Sequence, residues 1–74
     1  MTLYDVFMER AEDWWHWANV IDSSNHWMQT RRMMQSMGVV ASMDGDHSLA
    51  EDLEILVLTA SERMWWKLDE KLED

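Results

Sequence analysis

Histidines and carboxylates are the side chains of this sequence that could ligate a metal ion, because it contains no cysteine. Asp13 and His16 form an acidic-x-x-His pair, which di-iron helical bundles use as a ligand motif. Such bundles need a second pair and two further glutamates, all pointing into the interior. Helical spacing instead places Asp13 and His16 on a polar side, where Glu12 and His16 form an i,i+4 surface pair. We therefore expect no metal site in this chain.

The segment DGDHSLAEDLEI (44–55) begins like a calcium-binding loop, with Asp44 and Asp46 in the first and third positions. Such a loop requires a glycine in its sixth position and a bidentate glutamate in its twelfth. This sequence has Leu49 and Ile55 at those positions. A turn followed by a helix explains the segment without calcium.

Pairs of carboxylates with the spacing E-x-x-E occur in ERAED (9–13) and EDLE (51–54). Carboxylates paired on helices can hold Mg²⁺ in all-α nucleotide pyrophosphatases, and a Mg²⁺-dependent enzyme of that kind is a remote alternative. The motif is short, and here it lies mostly on a solvated helix face. The sequence has neither a serine–histidine arrangement nor a glycine-rich phosphate loop. It therefore favours a protein without catalytic residues and without a cofactor.

The elements that would position these side chains are helices, because apolar residues recur at intervals of three and four and proline is absent. A first helix is predicted over residues 3–22, with Thr2 and Asp5 forming its N-terminal cap. The stripe of this helix that is predicted to face the core consists of Leu3, Phe7, Ala11, Trp14, Trp17, Ala18 and Ile21.

The segment DSSNH (22–26) interrupts the first helix, because serine and asparagine favour helix caps over helix interiors. The apolar residues after this segment would also point to a different side of one continuous helix, so a break near residues 23–25 is predicted. A short second helix is predicted over residues 26–37, and Gly38 is predicted to end it.

A third helix is predicted over residues 48–72, because Ser48 and Glu51 have the spacing of a capping box. The predicted architecture is a single all-α domain, residues 1–74, folded as a small three-helix bundle. The alternative is a helical hairpin with continuous first and second helices, of which two copies form a four-helix bundle. The core-facing stripe predicted for the third helix is Leu49, Leu53, Leu56, Val57, Ala60, Met64 and Leu68.

Three tryptophans lie within four residues of the first helix, and a helix cannot turn all three toward one core. Trp14 and Trp17 fall on the predicted core-facing stripe. Trp15 lies about 100° from Trp14 on the helix and shares a flank with Tyr4 and Met8. We predict that these last three side chains form an exposed apolar patch. Each tryptophan offers about 150–250 Å² for burial, which favours cover by another chain over contact with water.

The charged side of the third helix also carries apolar residues, Trp66 and Ile55. They are candidate anchors for a partner, because tryptophan is favoured at binding hot spots. The chain has 15 acidic and 6 basic residues, and its net charge of −9 attracts basic surfaces. The carboxylates predicted to steer such a partner are Glu62, Asp69, Glu70 and Glu73.

These features predict a non-catalytic protein-interaction module that occludes a basic or nucleic-acid-binding surface of a partner protein, with carboxylates acting as a nucleic-acid mimic. In small size, negative charge and lack of enzymatic motifs, the chain resembles in general style the inhibitors encoded by phages and mobile elements. Those include anti-restriction and anti-CRISPR proteins, with which it shares no residue-level motif. The alternative is a structural homodimer in which the tryptophan patch faces its own copy. The acidic face could also serve solubility alone.

The charge and composition predict the surroundings in which the protein acts. Direct binding to nucleic acid is not expected, because no basic stripe is present to contact phosphates. The start MTLYDVFMER has no basic region followed by an apolar run, so a secretory signal is not expected. No apolar stretch is long enough to predict a membrane span. Together with the lack of cysteine, these observations predict a cytoplasmic protein.

Overall fold

The computed structural model describes the backbone of residues 1–73 and the side chains of residues 1–70. It contains three α-helices, α1 (Leu3–Ile21), α2 (Ser24–Met43) and α3 (His47–Glu73). The described part of the chain has no β-strand, and the helices form an elongated bundle that measures 45 × 18 × 13 Å. The predicted three-helix bundle is therefore confirmed.

The ends of α1 follow from the residues that cap them. The Asp5 amide donates to Thr2 Oγ1 over 3.2 Å, and the Thr2 amide donates back to the Asp5 carboxylate. At the other end, Asp22 adopts a left-handed backbone with a φ of 51°, which short polar residues tolerate better than most. Ser23 then caps α2 by accepting a hydrogen bond from the His26 amide. The predicted break is confirmed, and α1 and α2 are separate helices.

The second helix is longer than predicted, because Gly38 lies inside α2 instead of ending it. A Cβ atom at Gly38 would lie 3.8 Å from the Leu53 Cβ on α3. That distance is an ordinary van der Waals contact, so Gly38 lies against α3, and the packing of α2 on α3 outweighs the low helix propensity of glycine. The helix continues to Met43, and the chain then turns at Gly45, whose φ of 81° favours glycine.

The start of α3 also differs from the prediction. This helix begins at His47, and Asp46 caps it by accepting a hydrogen bond of 3.2 Å from the Leu49 amide. A carboxylate suits this position because it interacts favourably with the positive end of the helix dipole. Ser48 therefore lies within the first turn, and the predicted capping box of Ser48 and Glu51 is wrong.

The α2 and α3 helices form a hairpin with the most extensive interhelical contact in the described chain, and α1 lies along this hairpin. The core has two parts, one toward the turn between α2 and α3 and one at the opposite end of the hairpin. The stripe predicted for the third helix is confirmed, since each member is buried or partly buried. The two core clusters consist of Ala11, Met34, Met37, Ala41, Leu49 and Leu53, and of Ala18, Trp27, Ala60 and Met64.

The buried side of α1 is rotated from the predicted one. Ala11 and Ala18 are almost completely buried and mark the line along which α1 approaches the hairpin. Trp14 and Trp15 flank this line, and both are partly buried. Small residues at the line of contact let α1 lie close to the hairpin, because the distance between packed helices depends on the side chains between them. The predicted core residues that are instead more than half exposed are Trp17 and Ile21.

Candidate partner-binding surface

The outer side of α3 carries four apolar side chains that are largely in contact with solvent. Between 58% and 65% of each one is exposed. Helical geometry places the four on neighbouring positions of one side, over about 16 Å along the helix axis. We call this set the α3 outer stripe, and it consists of Ile55, Leu58, Trp65 and Trp66.

Two members of the α3 outer stripe, Ile55 and Trp66, are among the residues that the sequence pattern selected as anchors, and both are exposed. The pattern selected neither Leu58 nor Trp65 as an anchor. The sequence nevertheless contained a signal for the exposure of these two residues. Leu58 and Trp65 are seven residues apart, so they lie on the same side of the helix, well away from the buried Leu53.

Carboxylates surround the α3 outer stripe and give it a polar rim. One of them, Glu70, accepts a hydrogen bond of 3.3 Å from Lys67. The side chain of Glu73, which was also predicted to steer a partner, lies outside the described residues. The exposed carboxylates that the structure places on α3 are Glu51, Glu54, Glu62, Asp69 and Glu70.

The second predicted patch is less exposed than the periodicity of the first helix indicated. The Tyr4 hydroxyl donates a hydrogen bond of 2.6 Å to the Asp52 carboxylate, which ties α1 to α3. This bond to a negative group raises the pKa of Tyr4, since the carboxylate favours the protonated hydroxyl. Met8 and Trp15 are partly buried, and with Leu56 they line a groove of about 330 Å³ between α1 and α3. Of the three predicted residues, Met8 and Trp15 therefore line an interhelical groove, and Tyr4 is exposed outside it.

The tryptophans gather at the end of the bundle where α1 joins α2. Trp27 is completely buried there. The ring of Trp15 meets it edge-on with 5.2 Å between centroids, and the Arg63 guanidinium lies 5.3 Å from its centroid. The excess of exposed indole that the sequence predicted is present: Trp66 is exposed as predicted, whereas Trp17 is exposed in place of Trp15. The tryptophans that are more than half exposed are Trp17, Trp65 and Trp66.

Asp22 connects the three helices at this end of the bundle. Its carboxylate accepts a hydrogen bond of 2.9 Å from the Trp27 indole and forms an ion pair of 2.7 Å with Lys67. The hydrogen bond from the Lys67 ammonium is the largest cause that lowers the pKa of Asp22, and the hydrogen bond from the Trp27 indole is the next largest. The Asp22 carboxylate in turn raises the pKa of Lys67. Sequence reasoning missed this junction. The sequence did contain a signal for it. Asp22 stands at the predicted helix break, and aspartate tolerates the left-handed backbone that can end a helix.

Replacing Asp22 with asparagine is expected to lower the stability of the fold at neutral pH. Asparagine keeps an acceptor for Trp27 and tolerates the left-handed backbone, but it loses the ion pair with Lys67. Because folding lowers the pKa of Asp22 below its ordinary 3.8, the stabilisation is fully present above that pH and is lost as the pH falls through the folded-state value.

Urea denaturation of both proteins, in steps from neutral to acidic pH, measures this effect. The difference in unfolding free energy between native Asp22 and Asp22→Asn should narrow below about pH 4. The other carboxylates titrate in both proteins, so the comparison isolates Asp22. A difference that stays constant over the whole range would contradict the role of the ion pair.

No protein-family model, curated protein or solved structure is similar enough to this chain to count as a match. Among the described helices, none combines the length and the apolar character that crossing a bilayer requires. The features of the molecule that bear on function are the α3 outer stripe, the carboxylates around it and the tryptophan-rich end of the bundle.

Proposed function

We propose that this protein is a non-catalytic binding module that covers a basic, nucleic-acid-binding surface of a partner protein with the outer side of α3. The observation that carries the proposal is the α3 outer stripe, whose four apolar side chains are more than half exposed within an acidic surface. In this proposal Trp66 and Ile55 are the central anchors. The groove lined by Met8 and Trp15 offers further contact area beside α3.

The exposed apolar surface of the stripe is large for so small a protein. Trp65 and Trp66, with 60% and 58% exposed, alone leave about 180–300 Å² of side-chain surface in water. The largest apolar patch on a typical monomer measures about 300–600 Å² and is often functional. With Ile55 and Leu58 included, the exposed apolar area of the stripe falls within that range, and all of it lies on one side of a single helix. Apolar anchors inside a polar rim are the usual arrangement of a binding hot spot.

The charge around the stripe indicates the kind of partner. The chain carries a net charge of −9, so it repels acidic surfaces and attracts basic ones. Glu62 and Asp69 are separated by about 10 Å along the helix axis, and Glu70 directly follows Asp69. Cationic groups that normally contact phosphates can pair with such a row of carboxylates. This is how a small acidic protein of the kind carried by phages would act as an inhibitor.

Replacing Trp66 with alanine is expected to weaken partner binding by about thirtyfold or more, because truncation at an aromatic hot spot costs about 2 kcal/mol or more. The partner is first captured from nuclease-treated host lysate and purified, and its Kd is then measured by calorimetric titration. Val39→Ala is the matched control, since Val39 is exposed to a similar degree on α2. It should change the Kd by no more than about twofold. Equal affinity of Trp66→Ala and the native protein would contradict the role of the stripe.

The same purified partner tests the electrostatic and occlusion parts of the proposal. Glu62→Gln should slow association at low salt, because charges at the rim of an interface act mainly on the association rate. Glu9→Gln makes the same charge change on α1 and should leave that rate nearly unchanged. Nucleic acid should compete with this protein for the partner. A stable complex that holds the partner, nucleic acid and this protein together would contradict occlusion.

A structural homodimer is the second candidate, and the same stripe favours it because apolar helix faces can cover each other across a twofold axis. The acidic rims of the two copies would then face one another, so added salt should strengthen the dimer by screening their repulsion. Binding to a basic partner should weaken with salt instead. Sedimentation velocity of the pure protein at micromolar concentration, at about 0.1 M and about 1 M salt, distinguishes the two.

A further inference from the structure

The outward side of α1 carries a second line of residues, distinct from the buried line of Ala11 and Ala18. Its members are spaced four, three, four and three residues apart, so they fall within an arc of about 80° around the helix. This is the spacing with which one helix meets another in a coiled coil. We call this set of exposed residues the α1 outer line, and it consists of Val6, Arg10, Asp13, Trp17 and Val20.

The middle of the α1 outer line is charged. Arg10 is the only arginine or lysine of α1, and Asp13 follows it three residues later. Neither side chain forms an ion pair, because the ion pairs within 4.0 Å among the described residues all involve Lys67. With Val6 and Glu9 they line a hollow of about 240 Å³ on the outer surface of α1. The fold thus leaves one positive and one negative group side by side on an exposed surface.

We infer that α1 binds α1 of a second copy of this chain, in antiparallel orientation, about a twofold axis that crosses the helix midway between Arg10 and Asp13. Arg10 of each copy then lies opposite Asp13 of the other, and Val6 of each copy lies opposite Trp17 of the other. This match follows from the spacing, because Val6 and Trp17 are equally distant from the midpoint of Arg10 and Asp13. A twofold interface requires such a self-complementary surface.

Charge and packing both favour the antiparallel over the parallel orientation. In parallel pairing, arginine would face arginine and aspartate would face aspartate, and such like-charge contacts are costly. The hollow is formed by residues i, i+3, i+4 and i+7, the four residues that receive one side chain of the facing helix in a coiled coil. In the antiparallel register that side chain is Asp13 of the second copy, which therefore lies beside Arg10.

Trp17 supplies much of the apolar area of this interface. With 56% exposed, its side chain offers about 80–140 Å² on each copy, and Val20 extends the apolar surface by one turn. The interface is nevertheless small, since each copy contributes one helix, and small interfaces are weak. The net charge of −9 on each copy also opposes association. We therefore expect a dimer with a Kd in the micromolar range or above.

This inference is independent of the proposed function, because the α3 outer stripe belongs to another helix and stays exposed in the dimer. Each dimer would carry two such stripes. It also differs from the homodimer considered above, in which the α3 outer stripes cover each other. Trp17, which the structure leaves more than half exposed outside the α3 outer stripe, is covered only in the α1 dimer.

Charge reversal tests the pairing on the whole protein, with sedimentation equilibrium over about 10 μM to about 1 mM protein. Arg10→Asp should weaken self-association at least about tenfold, because four carboxylates would then meet at the axis. Asp13→Arg should do the same, although it lowers the net negative charge, because four guanidinium groups would meet there. An equimolar mixture of the two variants should form a heterodimer, in which each carboxylate again faces a guanidinium.

Two further variants control for the change in net charge. Arg10→Asp and Asp13→Arg combined in one chain keep the net charge of −9 and should restore self-association to within about threefold of the native protein. Arg32→Asp makes the same charge change as Arg10→Asp on an exposed position of α2, and it should leave self-association nearly unchanged. A native protein that stays monomeric up to about 1 mM, or a mixture of the two single variants that contains monomers only, would overturn the inference.

Tryptophan variants separate the α1 dimer from one formed by the α3 outer stripe. Trp17→Ala should weaken self-association at least about tenfold, because the ring is used twice in the interface. Trp65→Ala removes an indole of nearly equal exposure from α3 and should have little effect. A dimer that survives Trp17→Ala and is lost in Trp66→Ala would be the α3 dimer, and the inference would be wrong.

The outcomes for the α1 dimer and for the proposed function are also separable. Arg10→Asp should still bind the purified partner, since the α3 outer stripe is intact. If no α1 dimer forms while Trp66→Ala weakens the partner complex, this inference is wrong and the proposed function stands. If the α1 dimer forms and Trp66→Ala has no effect on the partner, the role of the stripe is wrong and the dimer stands.

Discussion

Replacing Trp27 with alanine is expected to lower the free energy of unfolding by about 3–5 kcal/mol. A domain of this length has a total stability of roughly 4–11 kcal/mol, so the variant should be close to unfolding at room temperature. The cost is high because the Trp27 ring is completely buried and also contacts Trp15 and the Arg63 guanidinium. Its loss would leave the Asp22 carboxylate without the indole donor as well.

Urea denaturation followed by far-UV circular dichroism measures this loss. Trp27→Phe refills part of the space but has no N–H for Asp22, so we expect a smaller loss of about 1–3 kcal/mol. Trp65→Ala is the matched control, because the Trp65 ring is mostly in solvent and its removal should change stability by no more than about 0.5 kcal/mol. Similar losses of stability for Trp27→Ala and Trp65→Ala would contradict the burial of Trp27 and the exposure of Trp65.

Leu53→Ala is the second substitution with a large expected effect, a loss of about 2–5 kcal/mol in the free energy of unfolding. Leu53 is completely buried in the core cluster with Met34, and it lies opposite Gly38 on α2. The close approach of α2 and α3 at this point leaves neighbouring side chains little freedom to fill the space that a removed leucine would leave. The truncation should therefore create a cavity.

Ile55→Ala provides the control on the same helix, two residues away and on the opposite side. Because 61% of Ile55 is exposed, its truncation should change stability by no more than about 0.5 kcal/mol. The same chemical denaturation measures both variants. If Ile55→Ala were the more destabilising of the two, α3 would present the other side to the solvent, and the proposed anchor would not be available to a partner.

The helices and the interior side of α3 were predictable because both depend on local features. The spacing of Leu53, Ala60 and Met64 repeats with the period of a helix, and the acidic residues between them are costly to bury. The break at Ser23 was predictable because a hydroxyl at that position can cap the following helix. The exposure of Ile55 and Trp66 followed from the same periodicity.

The end of α2 and the buried arc of α1 were not predictable from local features. Gly38 is a weak helix former by itself, and it stays helical because Leu53 on α3 packs against it. Periodicity alone centres the apolar arc of α1 on its largest residues, including Trp17. The arc is in fact centred on Ala11 and Ala18, because their small size sets how closely α1 can approach the hairpin.

Some features of the candidate sites likewise depend on local sequence, and others depend on tertiary packing. The amino-acid sequence by itself determined the number and type of helices, the acidic character, and an apolar pair on the charged side of the third helix, since these depend on composition and on periodicity within one helix. Only the tertiary structure decided that Trp27 is buried while Trp17 and Trp65 are exposed, and that Asp22 joins three helices through Lys67. The physical reason is that burial and pairing depend on which faces of different helices meet, and periodicity within one helix does not specify that.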